Sequence, residues 1–166
     1  MKRMDGMNEN PLKIQRIDSN SATVADANEW YKVVESGFGG QAPWSVGQIL
    51  DTLQAKNAVV LVATLADEKV GLLAASKTIF ELDIYLVVVS QNHKKKQIGT
   101  ELFKYLTKYA EENNILDIVL EVRASNMPAI KLYERANFKR VGSRKAYYSN
   151  PIEDAIVMKR ELGEEM

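Results

Sequence analysis

Hydrophobic and polar positions mark out eleven segments along the chain. Leu12 to Ile17 alternates apolar with polar residues, which predicts a first strand. From about Thr23 to Ser36 the pattern turns helical, with Trp30, Val33 and Val34 as the apolar side, and Gly37-Phe38-Gly39-Gly40 ends it. Pro43-Trp44-Ser45 opens a second helix, with Ser45 as N-cap and Ile49, Leu50 and Leu53 facing the core. The middle is β-rich. Ala58–Leu65 and Val70–Thr78 read as strands joined by the hairpin-like turn Ala66-Asp67-Glu68-Lys69, and Leu82–Val89 is a third run. A helix follows from about Gly99 to Asn113, where Ile98, Leu102, Leu106, Tyr109 and Ala110 recur at helical spacing. Strand Ile115–Val122, helix Met127–Ala136, a short strand near Arg140 and a last strand Ala155–Arg160 complete the series. The order β-α-α-β-β-β-α-β-α-β-β predicts a mixed α/β fold without repeats or an interdomain linker. Residues 1–11 are polar, with methionines at 1, 4 and 7, and are expected to be a disordered lead ahead of the functional start.

Composition narrows the chemistry. The 166 residues suit one domain with a sizeable core, and 46% apolar with 27% charged residues is an ordinary soluble balance. Net charge is zero, which argues against nucleic-acid binding driven by overall charge. There are no cysteines, so disulfides, a thiol nucleophile and cysteine-based zinc sites are excluded. The single histidine, His93, cannot build a metal site alone, and no metal is expected. No apolar run approaches the roughly 18–20 residues that span a membrane, and the N-terminus lacks a signal-peptide core. The expectation is a cytoplasmic protein with no membrane and no direct nucleic-acid partner.

Two segments carry candidate chemistry. Gln91-Asn92-His93-Lys94-Lys95-Lys96-Gln97-Ile98-Gly99-Thr100 lies between a strand and a helix. Free N–H groups of a first helical turn point at an anion there, and the helix dipole favours negative charge. Read alone, the segment is foremost a solvated basic loop. It is neither a Walker A loop nor a G-x-G-x-x-G turn, and no aromatic-rich platform accompanies the three lysines. The second segment runs from Leu120 to Phe138. Glu121 follows the apolar run Ile118-Val119-Leu120, Asn126 is an N-cap candidate, and Tyr133 comes seven residues later. At about 100° per residue, Asn126 and Tyr133 share nearly one helix face. Glu121 and Tyr133 are candidate proton-transfer groups. Taken singly, each has an ordinary structural explanation: a solvent-facing glutamate, a helix cap and a core tyrosine.

The first segment resembles the coenzyme motif of the GNAT superfamily of acyl-CoA N-acyltransferases, [RQ]-x-x-G-x-[GA]. Here the pattern reads Lys94-x-x-Gln97-x-Gly99, with Lys94 for Arg or Gln and Gln97 for the first glycine. Within that superfamily the chain is most similar to the ribosomal-protein-alanine N-acetyltransferases. Glu121-Val122-Arg123-Ala124-Ser125-Asn126 matches, as do Ala129-Ile130 with Leu132-Tyr133-Glu134, and Pro43-Trp44-Ser45. Arg144-Lys145-x-Tyr147-Tyr148 and Glu153-Asp154-Ala155-x-x-Met158 match near the end. The family's Leu-Tyr-x-x-x-Gly-Phe reads Leu132-Tyr133-Glu134-Arg135-Ala136-Asn137-Phe138, with Asn137 for glycine at a position suited to left-handed backbone. Leu86 replaces a polar residue common in the family.

The resemblance implies a single GNAT-like domain over residues 12–162, with a central mixed, mostly antiparallel sheet flanked by helices. It implies acetyl-CoA as co-substrate and a protein N-terminus as the acceptor, foremost the terminal alanine of a small ribosomal subunit protein. It makes Glu121 the base and Tyr133 the acid that protonates the departing sulfur. Backbone N–H groups near Val87, Val88 and Val89 would stabilise the carbonyl oxygen. Lys94, Lys95, Lys96, Gln97, Ile98, Gly99 and Thr100 would hold the pyrophosphate, and Asn126 the coenzyme's amide-containing arm. An α-amine with pKa about 7.7–8 needs only a modest base, whereas a lysine amine near 10.4 needs a stronger one. Direct transfer in a ternary complex is expected; no cysteine exists to carry an acetyl group, which weakens a ping-pong route but leaves other nucleophiles open. Acetylation of a small-molecule amine or a lysine side chain, and acyl-CoA binding without catalysis, are the rivals. The oligomeric state is open.

Overall fold

This computed structural model describes residues 11–40, 42–94 and 97–163. Among the described residues, seven strands and four α-helices follow in chain order: β1 (Leu12–Ile17), α1 (Val24–Gly37), α2 (Val46–Gln54), β2 (Ala58–Leu65), β3 (Glu68–Lys77), β4 (Glu81–Val89), α3 (Ile98–Glu112), β5 (Asp117–Arg123), α4 (Met127–Arg135), β6 (Lys139–Tyr148) and β7 (Glu153–Glu161). The strands hydrogen-bond in the order β1-β2-β3-β4-β5-β7-β6. The β4–β5 pair is parallel and the β1–β2, β5–β7 and β6–β7 pairs are antiparallel. The mixed, mostly antiparallel sheet expected from the sequence is therefore present. No helix among the described residues is long and apolar enough to cross a membrane.

The chain forms two compact units. The first comprises, among the described residues, 11–74 and 86–102. Capping boxes start its two helices: Thr23 with Asp26 for α1 and Ser45 with Gln48 for α2. α1 ends where Gly39 and Gly40 take positive φ, and the Gly40 N–H reaches back to the Glu35 carbonyl at 2.8 Å. Trp30, Val34, Ile49, Leu53, Val60, Val62, Leu72, Leu86 and Val88 form the buried cluster between helices and strands. The β2–β3 turn is tighter than the sequence suggests. Ala66 and Asp67 both take positive φ, as a two-residue hairpin loop of the right twist demands, so β3 already begins at Glu68.

The second unit comprises residues 75–85 and 103–163. In β5, Ile118, Leu120 and Val122 are buried while Asp117, Val119, Glu121 and Arg123 are half-buried on the other face. Its parallel ladder with β4 runs from Glu81↔Asp117 to Ile84↔Leu120, while its antiparallel ladder with β7 continues through Glu121↔Val157 to Arg123↔Ala155. Glu121 is thus the first β5 residue beyond the parallel ladder. The short strand expected near Arg140 is in fact the ten-residue β6. It pairs only with β7 and is the last strand in the order, so nine of its ten residues are exposed and no apolar alternation announces it. Its register with β7 shifts between Arg140 and Gly142 and again between Arg144 and Tyr148.

Candidate active site

In the first unit, β4 leads through a short 3-10 turn, Gln91–His93, towards α3. Val88 is part of the core, while Val87 and Val89 are half-buried on the opposite face of the strand. The turn is tied down on several sides. The Ser90 N–H donates to the Val70 carbonyl at 2.9 Å, the Gln91 N–H to Ser36 Oγ at 2.8 Å, and Ser90 Oγ pairs with His93 Nδ1 at 2.6 Å. Gly37 allows this close approach: a Cβ there would stand 2.7 Å from the Val89 carbonyl oxygen. Lys94 Nζ donates to the Gly37 carbonyl at 2.9 Å, so its charge sits at the C-terminal end of α1, where the helix dipole welcomes it. Lys95 and Lys96 lie outside the described residues.

Gln97 takes φ 61°, the left-handed conformation that a glycine would adopt freely. Its carbonyl accepts the Glu101 N–H at 3.1 Å, the first bond of α3. The N–H groups of Ile98, Gly99 and Thr100 then have no acceptor within the helix, the usual state of a first turn. Ile98 and Gly99 are buried. This turn docks on β3 at Gly71, where a Cβ would stand 3.0 Å from Ile98 Cγ2 and 3.4 Å from Leu102 Cδ1. Residues 90–100 contain no carboxylate. Free N–H groups of a first helical turn favour an anion.

The second unit holds the proton-transfer candidates. Glu121 Oε2 accepts Arg144 Nε at 2.6 Å, and the Tyr147 hydroxyl stands 3.5 Å from Oε1, long for a hydrogen bond. Asn126 caps α4 through Oδ1, which accepts the Ala129 N–H at 3.3 Å, and the residue is exposed. Tyr133 is 9% exposed, with Phe103 edge-on at 5.6 Å and Phe138 tilted at 6.2 Å. Among the described residues its hydroxyl has no hydrogen-bond partner. Burial, and secondarily Tyr148, push its pKa up to about 12. Burial also raises Tyr148, reinforced by the Glu121 and Tyr147 charges and opposed by Arg123. Tyr148 therefore senses Glu121, and Tyr133 senses Tyr148: the three share one electrostatic neighbourhood.

Sequence reasoning missed the groups around this pair. Asp83 is raised by burial first and then by Glu121 and Glu81, with Arg144 opposing. Arg123 donates to the Pro151 and Ser149 carbonyls and to Glu153 Oε1, and its guanidinium lies 4.5 Å from the Tyr148 ring. Glu153 Oε2 in turn accepts the Ser125 N–H, and these bonds hold its carboxyl below the ordinary range. Arg123 and Glu153 thereby buckle the β6–β7 turn to the β5–α4 turn. Both residues stand in the matched motifs, yet their partnership depends on sheet register, which the motifs do not encode.

Comparison with known proteins bears on this arrangement. Over 77 residues the chain is 43% identical to an N-alpha-acetyltransferase of Saccharolobus solfataricus, a match covering 46% of each protein. The shared stretch is thus less than half of that relative's length. Over 152 residues the chain is 28% identical to N-alpha-acetyltransferase RimI of Mycobacterium tuberculosis, covering 89% of this chain and 94% of the other. The solved structure of the ribosomal-protein-S18-alanine N-acetyltransferase from Escherichia coli superposes with a TM-score of 0.81 at 23% identity, over 94% of this chain and 99% of that one, which shows a common fold. The model of the acetyltransferase (GNAT) family matches residues 24–138, a stretch that takes in the 90–100 turn, Glu121 and Tyr133. Well over half of the chain carries that match, and the chain belongs to the acetyltransferase (GNAT) family.

Proposed function

We propose that this protein is an N-acetyltransferase that moves the acetyl group of acetyl-CoA to a protein N-terminal α-amine, foremost the terminal alanine of a small ribosomal subunit protein. The observation that carries the reading is the pair inside the family match: a half-buried Glu121 carboxylate and a buried Tyr133 hydroxyl with no partner among the described residues. The names of the relatives, N-alpha-acetyltransferases, support an α-amine as acceptor. The C-terminal motif Arg144-Lys145-x-Tyr147-Tyr148 supports the ribosomal substrate through the resemblance.

Bound acetyl-CoA supplies an activated acyl thioester. The free N–H groups of Ile98, Gly99 and Thr100 would hold its pyrophosphate, with the basic segment Lys94–Lys96 nearby in sequence. Backbone N–H groups near Val87, Val88 and Val89 would steady the carbonyl oxygen, and the exposed amide of Asn126 would meet the coenzyme's arm. Glu121 accepts the proton of the attacking amine, directly or through water. Tyr133 keeps its proton throughout the working pH range, because its pKa is pushed up to about 12. Full transfer to a thiolate of pKa about 8.5 would be uphill by roughly 5 kcal/mol. The hydroxyl therefore acts as a hydrogen-bond donor that eases departure of the sulfur, and the thiol's final proton comes from the amine or solvent.

The test is acetyl transfer to a peptide with a free N-terminal alanine, followed by mass spectrometry, beside the Tyr133→Phe variant. Acetylated peptide from the wild type and a large loss in Tyr133→Phe are expected. Absence of turnover on every N-terminal peptide would defeat the substrate assignment, and undiminished turnover in Tyr133→Phe would defeat the role of the hydroxyl. One observation favours a second reading, acyl-CoA binding without transfer: Gln97 stands left-handed where the motif has glycine. Calorimetric binding of acetyl-CoA with no amine acetylated would support it.

A further inference from the structure

Of the charged groups around Glu121, Arg144 is the cation bonded to it, and the reaction proposed above gives it no task. Arg144 Nε donates to Glu121 Oε2 at 2.6 Å, while its guanidinium lies 5.7 Å from the Tyr147 ring. The contact is single-pronged. Nη1 and Nη2 bond nothing among the described residues, and the side chain is 56% exposed against 24% for Glu121. The two form a single-pronged, partly exposed charge pair.

The backbone supports a deliberate placement. Between Arg144 and Tyr148 the β6 register shifts, and Ala146 takes φ 50°. A left-handed alanine costs about 1–2 kcal/mol, and here the Ala146 N–H is held by Asp154 Oδ1 at 2.8 Å. Such irregularities re-aim side chains, and strain of this kind gathers at functional sites. In this case Arg144 and Tyr147 both turn onto one carboxylate.

Resting on the proposed acetyl transfer, we propose that Arg144 is a specificity-determining residue: it neutralises Glu121, so that the site takes an amine arriving uncharged and rejects one arriving as an ammonium. The physical basis is the difference between amines. At pH 8 about half of an α-amine with pKa about 7.7–8.0 is neutral, but under about 1% of a lysine amine near 10.4 is. An ammonium approaching Glu121 meets a like charge already seated there, and juxtaposed like charges suppress wrong partners. Arg144 thus selects terminal α-amines over lysine side chains and polyamines.

The test uses two peptides at pH 8 with acetyl-CoA. One has a free α-amine and no lysine; the other is N-terminally blocked and carries one lysine. In Arg144→Gln the α-over-ε preference in kcat/KM falls roughly fivefold, the size of a partly exposed charge pair. The fall comes from a lower KM for the lysine peptide with its kcat kept. Arg144→Met, which keeps the apolar stem beside Tyr147, gives the same fall, and Arg144→Lys restores the preference. A preference unmoved in the Gln and Met variants, or lowered equally in Arg144→Lys, overturns the inference while leaving the proposed function intact. A wild type that acetylates no N-terminal peptide overturns the proposed function and this inference together.

Discussion

The turn that enters α3 and the turn that leaves α4 solve the same backbone problem with different residues. Both hold a non-glycine residue in the left-handed region, Gln97 at φ 61° and Asn137 at φ 72°, where the resembling motifs carry glycine. Asn137 is well suited. It ends α4 in a Schellman motif, its N–H bonded to the Glu134 carbonyl and the Phe138 N–H to the Tyr133 carbonyl, each at 3.0 Å. Asparagine tolerates this conformation best after glycine. Gln97 has no such tolerance, and its strain of about 1–2 kcal/mol falls on the turn assigned to the pyrophosphate. The difference teaches that backbone geometry outlasts the residue that makes it easy. It also separates tasks: the α4 side should govern the chemical step and the α3 side coenzyme affinity.

The strongest way to break that division is kinetic. Glu121→Gln should lower kcat by about 10²- to 10⁴-fold, the span of a lost proton-transfer group, and Tyr133→Phe by about 10²- to 10³-fold, the span of a lost hydrogen-bond donor to developing charge. KM for acetyl-CoA should hardly move. Steady-state kinetics with a terminal-alanine peptide decides it: a variant that keeps kcat and raises KM for acetyl-CoA would put these residues on the affinity side of the comparison.

Tyr133 also gives a stability signature that the entry turn of α3 cannot. Its folded pKa is raised to about 12 from an ordinary value of 10.0. Above pH 10 the unfolded chain therefore loses a proton that the folded chain keeps, and unfolding becomes easier as pH rises. The contribution is complete below pH 10 and is lost on the way to pH 12, by at most roughly 3 kcal/mol. Urea unfolding at pH 8 to 11.5 should show a steeper loss for wild type than for Tyr133→Phe. Parallel curves would mean that the hydroxyl ionises as readily folded as unfolded.

Legibility in the sequence follows the same physics. β5 was readable because Ile118-Val119-Leu120 is a continuous apolar run. Ser45 was readable as a cap because it stands just before the helical pattern of Ile49, Leu50 and Leu53, and Gln48 completes the capping box. Asn137 was readable because the chemistry of a left-handed helix end is local. β6 was not, since an edge strand with nearly every residue exposed carries no apolar period. Nor was the Arg144–Glu121 pair, whose members lie 23 residues apart and meet only through the register of β6 and β5 with β7. Tyr133 was legible as a candidate, but its missing partner was not, because an unsatisfied hydroxyl is a property of the packed state.

The α3 side can be sharpened by restoring the glycine. Gln97→Gly should stabilise the fold by about 0.5–1 kcal/mol, the relieved strain less the extra entropy of an unfolded glycine. Acetyl-CoA should bind a few-fold more tightly by calorimetry if that strain weakens the turn. Destabilisation by the glycine would show that the Gln97 side chain makes up the difference and that the two turns are equally well adapted.

The smallest effect belongs to Asn137, and it is diagnostic for being small. Asparagine already sits comfortably at φ 72°, so Asn137→Gly relieves little strain and adds unfolded-state entropy. The two nearly cancel, within about 0.5 kcal/mol. Asn137→Ala should cost about 1 kcal/mol, because alanine lacks the tolerance of asparagine for left-handed backbone. Thermal unfolding of both variants beside Gln97→Gly ranks the two turns directly. If Asn137→Gly stabilises as much as Gln97→Gly, asparagine is no better a substitute than glutamine. The contrast between the turns would then be one of position, with the Schellman bonds to Tyr133 and Glu134 holding α4 closed whatever residue occupies the corner.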